Sequence, residues 1–130
     1  MDRKAKGSHA ERELVAALWK AGWAAIRTAG SGSSRYPAPD VLAGNGVRRI
    51  AVECKAAGDD KKYLAKEQVE QLQVFAKAFG AEPWIGIRFD NDKWYFISID
   101  DLKETPAGFV VSVQYAKDKG LVLNEVIGQF

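Results

Sequence analysis

Two carboxylates and a lysine set the first chemistry to consider. Asp40 is followed, after twelve intervening residues, by Glu53, and Lys55 stands two residues further on. Side chains alternate faces along a β-strand, so Glu53 and Lys55 share a face wherever Val52-Glu53-Cys54-Lys55 is extended. Between Asp40 and Glu53 lies Asn45-Gly46, the strongest short-range hairpin signal. With Asn45-Gly46 as a two-residue loop, Gly44 pairs with Val47 and Asp40 falls opposite Ala51. Paired residues lie on one face, so Asp40, Glu53 and Lys55 then project to the same side. An odd-length loop or a bulge would break that parity.

Like charges at short range raise a carboxylate pKa, and a divalent cation removes the conflict. Mg²⁺ takes oxygen ligands in octahedral geometry, commonly one or two carboxylates with waters and phosphates. A metal so held polarises a scissile phosphate and lowers the pKa of a bound water. The lysine can stabilise charge developing on the phosphate or position the water. The competing reading is a solvated strand face whose surface ion pair is worth at most ~1 kcal/mol.

Glu11 reaches the same region from a helix. It falls one turn before Leu14 and Val15, on the inward face of the first helix. Glu11 also follows Ser8 by three residues, the spacing of a capping box, which alone would explain it. Gln68 lies one turn before Leu72, on a similar inward face of the second helix.

Composition removes other chemistries. One Cys and one His in 130 residues exclude an internal disulfide, a cysteine-rich zinc site and a histidine-built metal centre. No GxGxxG or P-loop indicates a nucleotide cofactor. No apolar run approaches the ~18 residues of a membrane span, and the opening has no apolar core of a secretory signal. A cytoplasmic single domain over residues 1–130 is expected. The net charge of +2 says little about partners, because acids can mask a basic surface.

The elements that must position these residues follow in order. A helix is expected from about Ser8 to Ala21, stopped by Gly22, and then a short strand Trp23 to Thr28. Residues 29–39, rich in Gly, Ser and Pro, form a loop with Arg35 and Tyr36 in its middle. The Asp40–Ala43 and Val47–Lys55 strands come next. A second helix spans about Lys66 to Phe79, with Gly80 after it. Strands at Trp84–Phe89 and Trp94–Ile99 flank an Asp90–Lys93 turn, and Phe109–Val113 is a weaker strand. Leu121–Phe130 is apolar and ambiguous. This order predicts an α/β fold with a central mixed β-sheet flanked by helices.

Pro39-Asp40, then Glu53-Cys54-Lys55, resembles the PD-(D/E)xK nuclease motif. Lys6-Gly7-Ser8-His9-Ala10-Glu11-Arg12-Glu13-Leu14, Arg27 and Gly30-Ser31-Gly32 are similar to one branch of it, the archaeal Holliday junction resolvases. The likeness runs from about Lys6 to Gly128. It implies a restriction-endonuclease-like fold and a homodimeric, Mg²⁺-dependent endonuclease, with Mn²⁺ as a substitute, that cuts paired strands of four-way DNA junctions. Carried over residue by residue, it implies Glu11, Asp40 and Glu53 as metal ligands, Lys55 as the catalytic lysine and Ser31 in the active-site loop. Arg12 and Arg27 would contact phosphates, and Gln68 matches more loosely a glutamine of the superfamily.

Arg35 is equally readable as a DNA contact or a solvated loop tip. Lys61, Lys62, Lys66, Arg48 and Arg49 would extend a basic rim or form a solvated face. Cys54 alternates away from Glu53 and is expected to be buried. Trp84, Trp94, Tyr95 and Phe96 suit a core or a dimer surface. Asn124, Ile127 and Phe130 faintly match a sliding-clamp-binding tail, although core packing explains them better. Two other functions compete with junction cleavage. One is a different PD-(D/E)xK nuclease of repair or restriction type. The other is a junction-binding paralogue without catalysis, which the presence of all four candidate residues disfavours.

Overall fold

The computed structural model describes residues 3–28, 36–58, 60–90 and 92–128, with only the backbone for residues 3–6. The elements in order are α1 (Arg3–Lys20), β1 (Ala24–Arg27), β2 (Val41–Gly44), β3 (Arg49–Ala57), β4 (Lys61–Ala65), α2 (Lys66–Phe79), β5 (Glu82–Phe89), β6 (Trp94–Ser98), a 3₁₀ turn (Ile99–Asp101), β7 (Lys103–Thr105), β8 (Gly108–Ser112), α3 (Val113–Lys119) and α4 (Leu123–Val126). A five-stranded sheet runs β1-β2-β3-β5-β6 and a three-stranded one β4-β8-β7. β3 and β5 pair in parallel, and every other pairing is antiparallel. A parallel pair needs a long crossover, which β4 and α2 supply. The central mixed sheet with helices on its faces is therefore as expected.

The two faces of β3 are sorted by the period of two. Ile50, Val52 and Cys54 point into the layer built with Leu14 and Leu18 of α1. Ala51 and Ala57 point into the other layer, with Val69, Leu72 and Ala76 of α2 and with Leu64 and Val111 of the small sheet. Gly86 lets Val52 and Phe96 close over the middle of β5; a Cβ there would lie 3.0 Å from Val52 Cγ1 and 3.1 Å from Phe96 Cε1.

Several expected boundaries move. α1 begins at Arg3, not Ser8, so Ser8 sits inside the helix and caps nothing. The run Arg3 to Lys6 contains good helix formers, and propensity extends the helix past the apparent cap. The hairpin turns one residue later than Asn45-Gly46. Asn45 N–H donates to Arg48 O at 3.1 Å, and Asn45 Oδ1 accepts from Val47 N at 2.9 Å and Arg48 N at 2.7 Å. The Asn side chain thus serves the turn from its first position, and Gly46 takes the positive φ of 92°. Val41 consequently faces Val52, and the paired register ends there. Asp40 N–H donates to Val52 O at 3.0 Å, so Asp40 lies beside Val52 at the end of the ladder and not opposite Ala51.

The small sheet has no counterpart in the sequence reading beyond the strand at β8. Lys61–Ala65 and Lys103–Thr105 are short, and the second is wholly polar, so alternation is hard to see. α3 was also not anticipated. In the C-terminal segment, Val126 and Ile127 are buried against the α1 layer. That overturns the sliding-clamp tail, because Ile127 is committed to the core; Phe130 lies outside the described residues. Trp94, Tyr95 and Phe96 are core residues. No described helix is long and apolar enough to cross a membrane.

Candidate active site

Asp40 sits at the head of β2. Its N–H donates to Val52 O at 3.0 Å, one residue out of the Val41–Val52 register, so the regular ladder ends at Val41. Its Oδ2 accepts from Cys54 N at 2.8 Å. A carboxylate held by a backbone donor has a fixed orientation, since that donor cannot rotate away. Glu53 is the β3 residue between these two contacts. Lys55 follows on the same face, and its Nζ lies 3.5 Å from Glu53 Oε2; both side chains are 17% exposed. The groups are therefore reachable but mostly dry.

This setting strains Glu53 electrostatically. Its pKa is pushed up to about 7, first by burial and then by the Asp40 charge, while Lys55 pulls it back and Glu11 adds to the rise. Burial also raises Glu11, again with Asp40 adding, against the pull of Arg27. Three acids from α1, β2 and β3 thus feel one another's charge. Cys54 points to the opposite face as expected, and burial drives its thiol pKa well up, so it is an inert packing group.

Arg27 holds Glu11. Its Nε donates to Glu11 Oε1 at 3.0 Å and its Nη2 to Ser8 Oγ at 2.9 Å. Arg27 pairs with Val41 across the β1–β2 ladder, an α1-side position. This fork explains why a serine stands inside α1: its hydroxyl faces the sheet and completes the guanidinium's bonding. Arg12 is exposed on the next helical position.

The donor set suits a hard divalent ion, being carboxylate oxygen with two acids driven toward protonation by burial and then by the Asp40 charge. Among the described residues no three His, Cys, Asp or Glu side chains are gathered closely enough to enclose an ion. Glu11 is engaged by Arg27, and Asp40 by Cys54. The Asp40 charge acts on both Glu53 and Glu11, and Glu11 acts on Glu53.

The remaining expected residues divide. Ser31 and Arg35 lie outside the described residues. Gln68 is in the first turn of α2, where its Oε1 accepts from Ala65 N at 3.4 Å, a reach back to the helix start. Arg48 and Arg49 leave the proposed basic rim. Arg48 makes a two-pronged contact with Glu82, at 2.8 and 2.7 Å, and lies over the Trp23 ring. Arg49 donates to Gly80 O at 3.0 Å at the end of α2. Both sit at the start of β3, away from Lys55.

Thr28 was missed. Its N–H donates to Asp40 O at 2.9 Å, and its hydroxyl bonds Pro39 O and, at 3.3 Å, Asp40 O. It ties the end of β1 to the residue before the acidic pair. A β-branched hydroxyl closing a strand was the available signal.

An acid at the head of one strand beside the Glu of a Glu-x-Lys run on the next, in a mixed sheet between helices, is the architecture of restriction-endonuclease-like nucleases. The family model of the archaeal Holliday junction resolvases (Hjc) matches residues 2–130, and the chain belongs to that family. It is 42% identical over 127 residues to crossover junction endodeoxyribonuclease Hjc of Archaeoglobus fulgidus, covering 98% of this chain and 93% of that protein. To the Hjc of Sulfolobus acidocaldarius it is 36% identical over 129 residues, covering 98% and 90%. The solved structure of Archaeoglobus fulgidus Hjc, a Holliday junction resolvase, matches with a TM-score of 0.85 at 38% identity, over 96% of this chain and 98% of that chain.

Proposed function

We propose that the protein is a Mg²⁺-dependent endonuclease that resolves four-way DNA junctions by paired symmetric nicks. The observation that carries this reading is the gathering of Asp40, Glu53 and Lys55: Asp40 bonds Val52 O and Cys54 N–H, the peptide groups on either side of Glu53, its charge reaches Glu53, and Lys55 lies 3.5 Å from Glu53. Family membership supports the substrate: the curated relatives are crossover junction endodeoxyribonucleases.

Asp40 and Glu53 would hold the ion, with Glu11 closing the site from α1. When bound, Mg²⁺ supplies a Lewis acid for the phosphate and acidifies a water. The protein's own residues do the rest. Lys55 Nζ presents a positive charge where the phosphoryl oxygens become more negative. The Asp40 carboxylate keeps its orientation through Cys54 N–H. Arg27, seated on α1 by Ser8, and exposed Arg12 offer guanidinium groups to the flanking phosphates. Mn²⁺, another oxygen-seeking divalent ion, is expected to substitute.

One chain has one such site, and a junction presents two equivalent strands. An isologous homodimer matches this symmetry by placing two equivalent sites about a two-fold axis. The experiment is mapping of cut positions on an end-labelled four-way junction beside duplex and flap substrates, in Mg²⁺ and in chelator. The reading predicts symmetric paired nicks on the junction alone, absent in chelator. Equal cutting of duplex or flap would make the protein a less selective nuclease.

A further inference from the structure

The outer face of the small sheet is not used by the site described above, and its composition is one-sided. Tyr63 of β4 pairs with Val110 of β8, and Val110 pairs in turn with Lys103 of β7. Lys61 pairs with Ser112, one alternation further along β4. Residues paired across antiparallel strands share a face, as do residues two apart on one strand. Lys61, Tyr63 and Lys103 therefore lie on one surface, together with Ala65, Thr105, Gly108, Val110 and Ser112; no carboxylate of these strands belongs to it, and Asp60, just before β4, is the acid whose charge reaches Lys61. All three side chains are exposed, Tyr63 at 62%, and Lys61 Nζ stands 5.6 Å from the Tyr63 ring centroid.

The other face of this sheet explains its place. Leu64 and Val111 are buried with Val69 and Leu72 in the α2-side layer. Glu53 and Lys55 share the parity of Ala51 and Ala57, which face that same layer. The chain also passes from β3 to β4 at the end of β3 that carries Lys55. The small sheet thus sits on the side of the central sheet to which the reactive groups point, and beyond their end of it.

We infer that this Lys61–Tyr63–Lys103 surface is a secondary DNA contact, holding the sugar–phosphate backbone of a junction arm outside the cleavage site. The inference rests on the proposed nuclease function and names a further part of its substrate surface. Two strand spacings and two residues of rise place the Lys61 and Lys103 backbones about 12 Å apart. Side chains of lysine length span from there to two separate phosphates of one duplex. Tyr63, between them, offers an aromatic ring to a sugar or to a base opened at the branch. A flat β-surface with mobile lysines reads charge and shape and carries no base-specific fork, as recognition of a branched structure requires. Within the three strands lysine alone is charged on this face, which favours a polyanion over an ordinary protein surface of mixed charge.

The test measures junction affinity across a salt series with cleavage blocked by chelator. The double variant Lys61→Gln, Lys103→Gln is compared with wild type and with a control, Lys20→Gln, Lys77→Gln. The control lysines are exposed in the last turns of α1 and α2. Removing two phosphate contacts lowers the slope of log affinity against log salt by about 2. The control leaves that slope at the wild-type value. Tyr63→Ala weakens binding further without changing the slope. A Lys61/Lys103 variant with the wild-type slope overturns the assignment while leaving the nuclease reading intact. Wild-type protein that binds neither junction nor duplex overturns the DNA reading itself, and this surface with it.

Discussion

Thr28 and Asp40 are bonded backbone to backbone, Thr28 N–H to Asp40 O at 2.9 Å, and the Thr28 hydroxyl lies over the same peptide segment. Asp40 is thereby held from both sides, by Thr28 at its backbone and by Cys54 N–H at its carboxylate. Loss of outer hydrogen-bond partners around metal ligands typically costs 10–100-fold in metal affinity or activity. Thr28→Val, which keeps the shape and removes the hydroxyl, should raise the Mg²⁺ concentration for half-maximal junction cleavage about tenfold. Thr28→Ser should restore it. Titrating Mg²⁺ in the cleavage assay distinguishes this from a merely structural role, which would lower cleavage equally at all Mg²⁺ concentrations.

Glu53 supplies a pH prediction for stability without metal. Its folded pKa is about 7, against an ordinary 4.5. The folded state therefore binds more protons between these values, and stability falls as pH rises through that window. Glu53→Gln is neutral throughout and escapes the loss. Its advantage in unfolding free energy over wild type should grow by roughly 3 kcal/mol from pH 4 to pH 8. Urea unfolding in chelator at the two pH values measures this. A difference independent of pH would show that Glu53 is not desolvated.

Arg27 uses two different nitrogens on two partners, Glu11 and Ser8. An ammonium cannot reproduce that planar fork. Arg27→Lys should cost about 1 kcal/mol of stability, the worth of one such hydrogen bond, and slow cleavage by displacing Glu11. Ser8→Ala should show the stability loss with a smaller effect on rate, because the Glu11 contact survives. Denaturation curves and single-turnover rates on both variants test the order.

Gly86 predicts a purely structural lesion. The added methyl of Gly86→Ala would meet Val52 and Phe96 at 3.0 and 3.1 Å in the interior of the sheet. Overpacking of this kind costs typically 1–3 kcal/mol. Denaturant unfolding should show the loss, while the Mg²⁺ midpoint for cleavage stays at the wild-type value.

Much of the site was legible because it rests on the period of a strand. Glu53 and Lys55 share a face in any register, and Asp40 reaches the peptide groups on either side of Glu53. What could not be read was the exact opposite number of Asp40, since Asn45 uses its side chain to bond Val47 and Arg48. Ser8 shows the opposite failure. Its spacing to Glu11 imitates a capping box, whereas the true partner, Arg27, is nineteen residues away and is visible only in three dimensions. Arg48 and Arg49 looked like a basic rim because sequence shows charge and not the acid or carbonyl that meets it. The helix α2 was plain from Val69, Leu72 and Ala76 on one face and Gly80 beyond it. The small sheet was largely hidden because strands of three to five residues with few apolar positions carry little alternation.

The central claim is that Asp40, Glu53 and Lys55 together cut junction DNA. Its most direct test is a single-turnover assay on an end-labelled four-way junction in Mg²⁺, with wild type, Glu53→Ala and Lys55→Ala, each also measured for junction binding in chelator. The account predicts paired symmetric nicks from wild type, and variants that bind the junction but do not cut it. Variants that bind and still cut at the wild-type rate, or a wild type that binds tightly and never cuts in Mg²⁺ or Mn²⁺, would contradict it.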